Sequence, residues 1–427
     1  MSFSLILLAE ILILLDVNRR IKFITSVHLI ISYIILSQFV FYFGIYIVAD
    51  PGPESRLTYI YDAEYGVIFY FLIVLITYSS TIFIQKSKVS VRDTISNIIN
   101  SAVRFLPHVA FACTAFMIFQ LIFIDYESLI FHDSYSSTGP RYSISFLTGV
   151  FKLYAIFSIV GAVTLPIAIA AKKSTFAILL TLTSVWEFLY SLSSSSRSAG
   201  AMTFTFFASL LLVWNKLKPI PIAVSTVIMF FVINAALKGR AGTSFGLLGL
   251  PEIVMGGLSI EKNDIFVIVA NLFQGIFVTI DGLTVNTEFN EQYKILSFSP
   301  LPSPIDGFDS ILRASEFRLG LYVPMSAISE AYLFGASYIA FLTFAYWIAI
   351  RSTLVSLIRG YASLALFMSL FLFTVFVQAS AYPLRNTFRQ LLLVIAVNTA
   401  VIGYRWMSES VKFKVKPQNP LNKRSAR

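Results

Sequence analysis

Arginine is the residue type whose placement most clearly suggests chemistry in this sequence. Arg385 and Arg389, in the segment SAYPLRNTFRQ, are four residues apart and share one face of a helix. Pro383 favours a helix start just before them, where free backbone N–H groups attract anions. Since a guanidinium group bonds phosphate oxygens through paired donors, the spacing predicts a diphosphate-binding site. The alternative is two arginines that reach towards a membrane interface.

Four more arginines border polar turns or the longest loop of the chain. Arg197 lies in SLSSSSRSAG, after five serines (Ser191 and Ser193 to Ser196) whose hydroxyls are suited to a phosphate or a sugar. Arg240, in KGRAGTSFG, opens the loop, where glycines permit close approach of the backbone to a ligand. Arg313 and Arg318 lie near its end. The alternatives are a polar hairpin turn at Arg197 and a solvated face at Arg313 and Arg318.

A line of polar residues enters the fifth apolar segment. Arg141 and Lys152 are eleven positions apart, about three helical turns, and so lie on nearly one line of a helix. A lysine this deep in an apolar segment should face a cavity or a partner. The sequence predicts that both basic groups line a substrate cavity. The competing interpretation, an ion pair between Lys152 and Glu187, has greater weight than direct catalysis.

Glu330 ends the long loop in YVPMSAISEAYLFG, where the chain returns to an apolar segment. A carboxylate near arginines at such a border is suited to accept a proton from a sugar hydroxyl as a general base. The alternative is that Ser326 or Ser329, with Glu330, only caps the following helix.

Composition requires that lipid be the solvent of this chain. Of 427 residues, 57% are apolar and 13% are charged, and the mean hydropathy is +0.79. A soluble protein of this size needs a larger polar surface. The net charge of +10 records orientation in a membrane and does not imply nucleic acid. No nucleotide-binding loop or metal-ligand spacing is present, so neither a cofactor nor a metal is predicted.

Apolar runs of suitable length predict about eleven transmembrane helices. Basic residues alternate between the connections and place the N-terminus outside the cytoplasm. The run 264–283 is interrupted by polar residues and is interpreted as interfacial or re-entrant. The spans are predicted near 2–16, 23–49, 66–85, 105–124, 143–171, 175–191, 200–214, 220–237, 331–350, 361–379 and 388–404.

The predicted organisation is a single transmembrane domain, 1–427. It displays one large loop, 238–330, on the non-cytoplasmic side and ends in a basic cytoplasmic tail, 405–427. A loop this long inside a compact domain is usually functional. The tail is expected to lie against anionic lipid.

Three segments together resemble the Wzy-type O-antigen and capsule polymerases. These are PMSAISEAYLFG at the end of the loop, with Ser326, Glu330, Tyr332, Phe334 and Gly335 at the motif positions, the turn SSSSRSAG, and the loop opening KGRAG. The motifs cover about thirty residues, and the architecture covers the whole chain.

The resemblance implies an all-α polytopic bundle of the GT-C type in the bacterial inner membrane. Such enzymes join oligosaccharide repeat units carried on undecaprenyl diphosphate at the periplasmic face, without a metal, and usually act with a chain-length regulator. It implies catalytic roles for Glu330, Arg197 and Arg240, and diphosphate contacts for Arg385, Arg389, Arg141, Lys152, Arg313 and Arg318.

Two other functions remain open from the sequence. A lipid-linked oligosaccharide flippase or other transporter would have a comparable length, but the chain shows neither two similar halves nor uniformly short loops. An O-antigen ligase resembles the polymerases but commonly has a histidine near the return to the membrane, and this loop contains none.

Overall fold

The structure of the protein is a computed structural model. It describes residues 3–47, 63–82, 90–131, 154–196, 198–214, 219–239, 245–261, 264–265, 268, 273, 275–301, 307–308, 311, 317–320 and 323–414.

Helices account for most of the described residues. In chain order they are α1 (Phe3–Arg20), α2 (Ser26–Ile47), α3 (Ala63–Ser79), α4 (Val91–Phe123), α5 (Tyr126–Ile130), α6 (Tyr154–Ala170), α7 (Ser174–Ser193), α8 (Ser198–Val213), α9 (Pro219–Gly239), α10 (Leu250–Leu258), α11 (Gly275–Thr284), α12 (Glu291–Ser297), α13 (Ala327–Phe334), α14 (Ala336–Ile358), α15 (Ala362–Ala379) and α16 (Leu384–Lys414). Two short antiparallel strands, β1 (Arg318–Gly320) and β2 (Val323–Pro324), precede α13.

Long apolar helices confirm a multi-pass membrane protein. Within the described part of the chain, six helices are long and apolar enough to cross a bilayer, and they belong to α4, α7, α9, α14, α15 and α16. Shorter apolar stretches lie in α2, α3, α6 and α8. All ten coincide with predicted spans. The total of eleven spans stays a prediction.

One predicted boundary is wrong in detail. The span expected from 331 begins at Ala336, because Gly335 adopts a φ of 121° and separates α13 from α14. Such a φ favours glycine, which has no Cβ to clash. The last candidate span ends at Tyr404, and α16 continues as helix through Lys414 into the predicted tail, whose cytoplasmic position stays a prediction. Residues 415–427 of that tail lie outside the described residues.

The chain divides into two compact units. Unit 1 comprises Met1–Val91 and Leu272–Arg427, and unit 2 comprises Arg92–Asn271. In unit 1, α14, α15 and α16 pack against one another, and α2 packs on α15. In unit 2, α6 packs on α7 and α8, and α9 packs on α8 and α10. The predicted single transmembrane domain stays a prediction.

Helix α11 lies inside unit 1, against α2, α3, α13 and α15. Its ten residues extend about 15 Å, half of what a bilayer requires. Ile276, Thr279 and Ile280 are buried. Short helices at membrane depth are tolerated where protein encloses them. The described part of 264–283 is thus enclosed by protein, and the choice between an interfacial and a re-entrant element stays a prediction.

Substituting Gly282 tests this packing. A Cβ at Gly282 would lie 2.6 Å from the Ser329 Cβ, so Gly282→Ala overpacks the contact between α11 and α13. We expect a loss of about 1–3 kcal/mol, seen as a lower melting temperature in detergent. The control is Gly403→Ala in α16, where a Cβ meets nothing within 4 Å and helix propensity improves. Equal shifts in both variants would contradict close packing at Gly282.

Candidate functional site

Helix α13 begins with a serine cap that the sequence predicted. Ser326 is the N-cap residue, and its Oγ accepts a hydrogen bond from the backbone N–H of Ser329 at 3.0 Å. The backbone N–H of Ala327 donates to the carbonyl of Tyr382 at 2.7 Å. The start of α13 is therefore attached to the turn that precedes α16.

Glu330 points away from its own helix and caps another one. Its side chain is 1% exposed. Oε2 accepts a hydrogen bond of 2.7 Å from the backbone N–H of Leu384, the first residue of α16. Oε1 accepts a hydrogen bond of 3.0 Å from the Tyr293 hydroxyl. An acidic group at a helix N-terminus is stabilising, so one carboxylate joins α12, α13 and α16.

Arg385 follows directly in α16 and is 4% exposed. Its Nη1 donates to the carbonyl of Leu296, and its Nη2 donates to the carbonyl of Leu301 at 3.0 Å. Its guanidinium carbon lies 4.0 Å from the centre of the Phe308 ring. The guanidinium group is thus held by two backbone oxygens and one aromatic face, a favourable environment for a buried cation.

Aromatic rings continue from this guanidinium group. Phe308 stacks on Tyr293 with ring centres 5.6 Å apart, and Tyr293 stacks on Phe289 at 5.7 Å. All three rings are buried. Tyr293 consequently contacts Glu330 through its hydroxyl and belongs to the same stack as Arg385 through its ring.

Arg389 lies one helical turn after Arg385 and binds the same stretch of loop. Its Nη2 donates to the carbonyl of Leu301, and its Nε lies 3.4 Å from the carbonyl oxygen of Ser299. The two arginines therefore share the Leu301 carbonyl and lie on one face of α16, as their spacing predicted. Whether they bind a diphosphate is not tested by this geometry.

A charged contact at the surface also attaches α12 to α14. The Tyr338 hydroxyl donates to Oε1 of Glu291 at 2.6 Å, and Nζ of Lys294 lies 2.9 Å from Oε2. The hydrogen bond from Tyr338, followed by the one from Lys294, holds the pKa of Glu291 below its usual value. The ionised carboxylate is thus the form that the folded protein prefers.

This contact predicts a pH dependence of stability. A lowered pKa stabilises the fold above the ordinary glutamate pKa of 4.5, and the contribution disappears as the pH falls through the lower folded value. We expect the wild type to melt at a slightly higher temperature than Glu291→Gln at pH 7, with the difference vanishing below pH 4.5. A difference that persists at low pH would contradict the charge-based contact.

In unit 2, the serine-rich turn 191–198, between α7 and α8, contacts the end of α9. Ser195 has a φ of 48°, and a Cβ built on Gly239 would lie 2.6 Å from the Ser195 Oγ. The chain segments that carry Arg197 and Arg240 therefore meet at Ser195 and Gly239. Arg197 and Arg240 themselves lie outside the described residues, so their predicted roles are untested.

The serine hydroxyls in this turn bond mainly within the turn. Ser193 Oγ donates to the carbonyl of Tyr190 at 3.0 Å. Ser198 Oγ donates to Ser191 Oγ at 3.0 Å and lies 2.7 Å from Ser196 Oγ. These contacts shape the bend between α7 and α8.

The remaining predicted basic residues are not described. Arg141, Lys152 and Arg313 lie outside the described residues, and so does the side chain of Arg318, whose backbone forms β1. Glu187, the suggested partner of Lys152, is buried in α7, and its Oε2 has no hydrogen-bond partner among the residues that the structure describes. The ion pair with Lys152 stays a prediction.

Two contributors to the site went unnoticed in the sequence, namely Tyr293 and Phe308. The stack of Tyr293 on Phe289 could not be read from their spacing, because Phe289 precedes α12 and does not share a helix face with Tyr293. Phe308 offered no signal either. Within the described part of the chain, no group of three His, Cys, Asp or Glu side chains is placed to hold a metal ion.

No family model matches the chain, and neither does any curated protein or solved structure with which it was compared. The resemblance to Wzy-type polymerases therefore rests on the motifs in the sequence.

Proposed function

We propose that this protein polymerises oligosaccharide repeat units carried on undecaprenyl diphosphate at the periplasmic face of a bacterial inner membrane. The observation that carries the proposal is the convergence of Arg385 and Arg389 at the start of α16, whose first N–H group is capped by Glu330. Guanidinium donors one turn apart suit the paired phosphates of a lipid diphosphate.

The reaction is a metal-independent glycosyl transfer. A hydroxyl oxygen of the acceptor sugar attacks the anomeric carbon of the donor sugar and forms the new glycosidic bond. The bond from that carbon to the diphosphate breaks, and undecaprenyl diphosphate leaves with the bonding electrons. The acceptor hydroxyl proton passes to a base. Arg385 and Arg389 stabilise the charge that develops on the leaving diphosphate.

Glu330 contributes to this reaction by position. Its carboxylate bonds the N–H of Leu384, the residue before Arg385, and so orients the guanidinium group. The predicted role as general base would require a sugar hydroxyl to reach this buried carboxylate, each of whose oxygens already accepts one hydrogen bond.

The other predicted residues complete the proposal. Arg197 and Arg240 are proposed at the catalytic centre, and the diphosphate contacts are extended by Arg141, Lys152, Arg313 and Arg318. We also propose the GT-C architecture, the eleven spans and a chain-length regulator as partner. Undecaprenyl-linked glycans and membrane lipid are the proposed ligands.

Chain growth in a reconstituted membrane tests this function. The purified protein in lipid vesicles, supplied with lipid-linked repeat units, is expected to yield a ladder of longer glycans on a gel. Translocation of the repeat unit without growth would instead support a transporter. Transfer of a glycan to a lipid A acceptor, without polymer, would support a ligase. Either result would overturn the proposal.

A further inference from the structure

Three backbone carbonyl oxygens mark positions around the two arginines of α16. The carbonyls of Leu296 and Leu301 accept from Arg385, and those of Ser299 and Leu301 accept from Arg389. The Leu301 oxygen accepts from both guanidinium groups. Three acceptor oxygens, one of them bridging, form an arrangement that phosphate oxygens can reproduce.

The carbonyls are weaker partners for these cations than an anion would be. A peptide oxygen carries only a partial charge, whereas diphosphate oxygens carry formal charge, and charge-assisted hydrogen bonds with charge on both partners are the stronger ones. A diphosphate that reaches this face therefore competes favourably for the donors of Arg385 and Arg389.

We propose that segment 299–301 is a lid that occupies the anion site and that the diphosphate of the lipid substrate displaces it. The inference rests on the proposed function and adds to it a regulation of the same site. In the closed arrangement the carbonyls accept hydrogen bonds from both guanidinium groups. In the open arrangement phosphate oxygens replace them.

The packing of the neighbouring residues locates the hinge. Phe298 is anchored by aromatic rings, with ring centres 5.7 Å from Tyr338, 5.4 Å from Phe341 and 5.0 Å from Phe388. Helix α12 is held independently through the bond from Tyr293 to Glu330. Beyond Phe298, Pro300 is exposed, and the Leu301 side chain is 49% exposed.

Because Phe298 is packed among aromatic rings whereas residues 300 and 301 are exposed, the lid can move while Phe298 stays packed. The side chains at 300 and 301 face outwards, so lifting them uncovers little apolar core. Lifting the lid breaks the contacts of the Ser299 and Leu301 carbonyls, which the diphosphate replaces, and also the hydrogen bond of 3.0 Å from the Ser299 N–H to the Leu296 carbonyl. Residues up to Phe298 stay in place.

Thiol accessibility tests the lid in the full-length protein. In a Cys113→Ala background, Ser299→Cys keeps the backbone carbonyl and places a reporter on the half-buried lid. Gln292→Cys, on the exposed surface of α12, is the matched control. We expect inorganic pyrophosphate to raise the reaction rate of Ser299→Cys with a soluble maleimide roughly tenfold relative to KCl of equal ionic strength. The rate of Gln292→Cys should not change.

An arginine variant assigns the effect to this site. Adding Arg389→Gln is expected to raise the basal rate at position 299 and to abolish the effect of pyrophosphate. Gel filtration verifies that the variant is folded.

The outcomes separate the lid from the proposed function. Pyrophosphate that binds by calorimetry but leaves the rate at position 299 unchanged would overturn the lid and leave the diphosphate site intact. Failure of pyrophosphate to bind, with a normal glycan ladder, would also overturn the lid alone. Failure of both binding and chain growth would overturn the lid together with the proposed function.

Discussion

Glu330→Ala is expected to destabilise the protein by roughly 2 to 6 kcal/mol, because it leaves two buried donors without their acceptor at a cost of about 1–3 kcal/mol each. These donors are the backbone N–H of Leu384 and the hydroxyl of Tyr293. Thermal unfolding in detergent measures the loss. Glu291→Ala removes a carboxylate of the same type from the surface of α12 and is the control, with a much smaller expected effect.

Glu330→Gln then separates the two roles of this residue. Glutamine keeps the shape and one acceptor oxygen, so a positioning role predicts a folded protein whose chain growth falls less than about tenfold. A general base predicts a loss of about 10²–10⁴ in a protein that is equally folded. A loss of that size would overturn the positioning role proposed for Glu330.

Replacement of the arginines in the candidate site is expected to stop chain growth. Arg385→Ala and Arg389→Ala each remove donors that the proposed reaction uses to stabilise the leaving diphosphate, so glycan synthesis should fall by about 10²–10³. Arg359→Ala is the control, because this exposed arginine caps the opposite end of α14. Expression of all three variants should remain measurable, and the ladder assay reports their activity.

A loss of stability is also expected when Arg385 is replaced, because its side chain is buried. Arg385→Ala also breaks contacts with two carbonyls and the Phe308 ring, so its melting temperature should fall more than that of Arg389→Ala. Arg197→Ala and Arg240→Ala are expected to abolish growth as well. Normal ladders in the Arg197, Arg240 and Arg385 variants together would overturn the arginine assignment.

Features that depend on local spacing were predictable from the sequence. Apolar runs located the long helices, since a bilayer imposes a minimum length. The four-residue interval placed Arg385 and Arg389 on one face of a helix, and Pro383 predicted the start of α16. The Ser326 cap followed from its position before an apolar run.

Features that depend on contacts distant in the chain were not predictable. Glu330 had a local alternative as part of a cap on its own helix, but it bonds Leu384, 54 residues further on. The lid contacts are made by backbone carbonyls, which every residue has, so the residue types in the sequence do not predict them. The polar interruptions in 264–283 lowered the apolar signal there, although α11 is buried by other helices.

Unit 1 is built from both ends of the chain, and this has a consequence for biogenesis. During synthesis, α2 and α3 are made before α11, α14 and α15, which pack against them. Their buried faces must meanwhile be shielded by lipid or by insertion machinery. Premature termination within α14 would leave these early helices without the later helices that cover them. The fragment would then be a substrate for membrane proteases, even if unit 2 had already assembled.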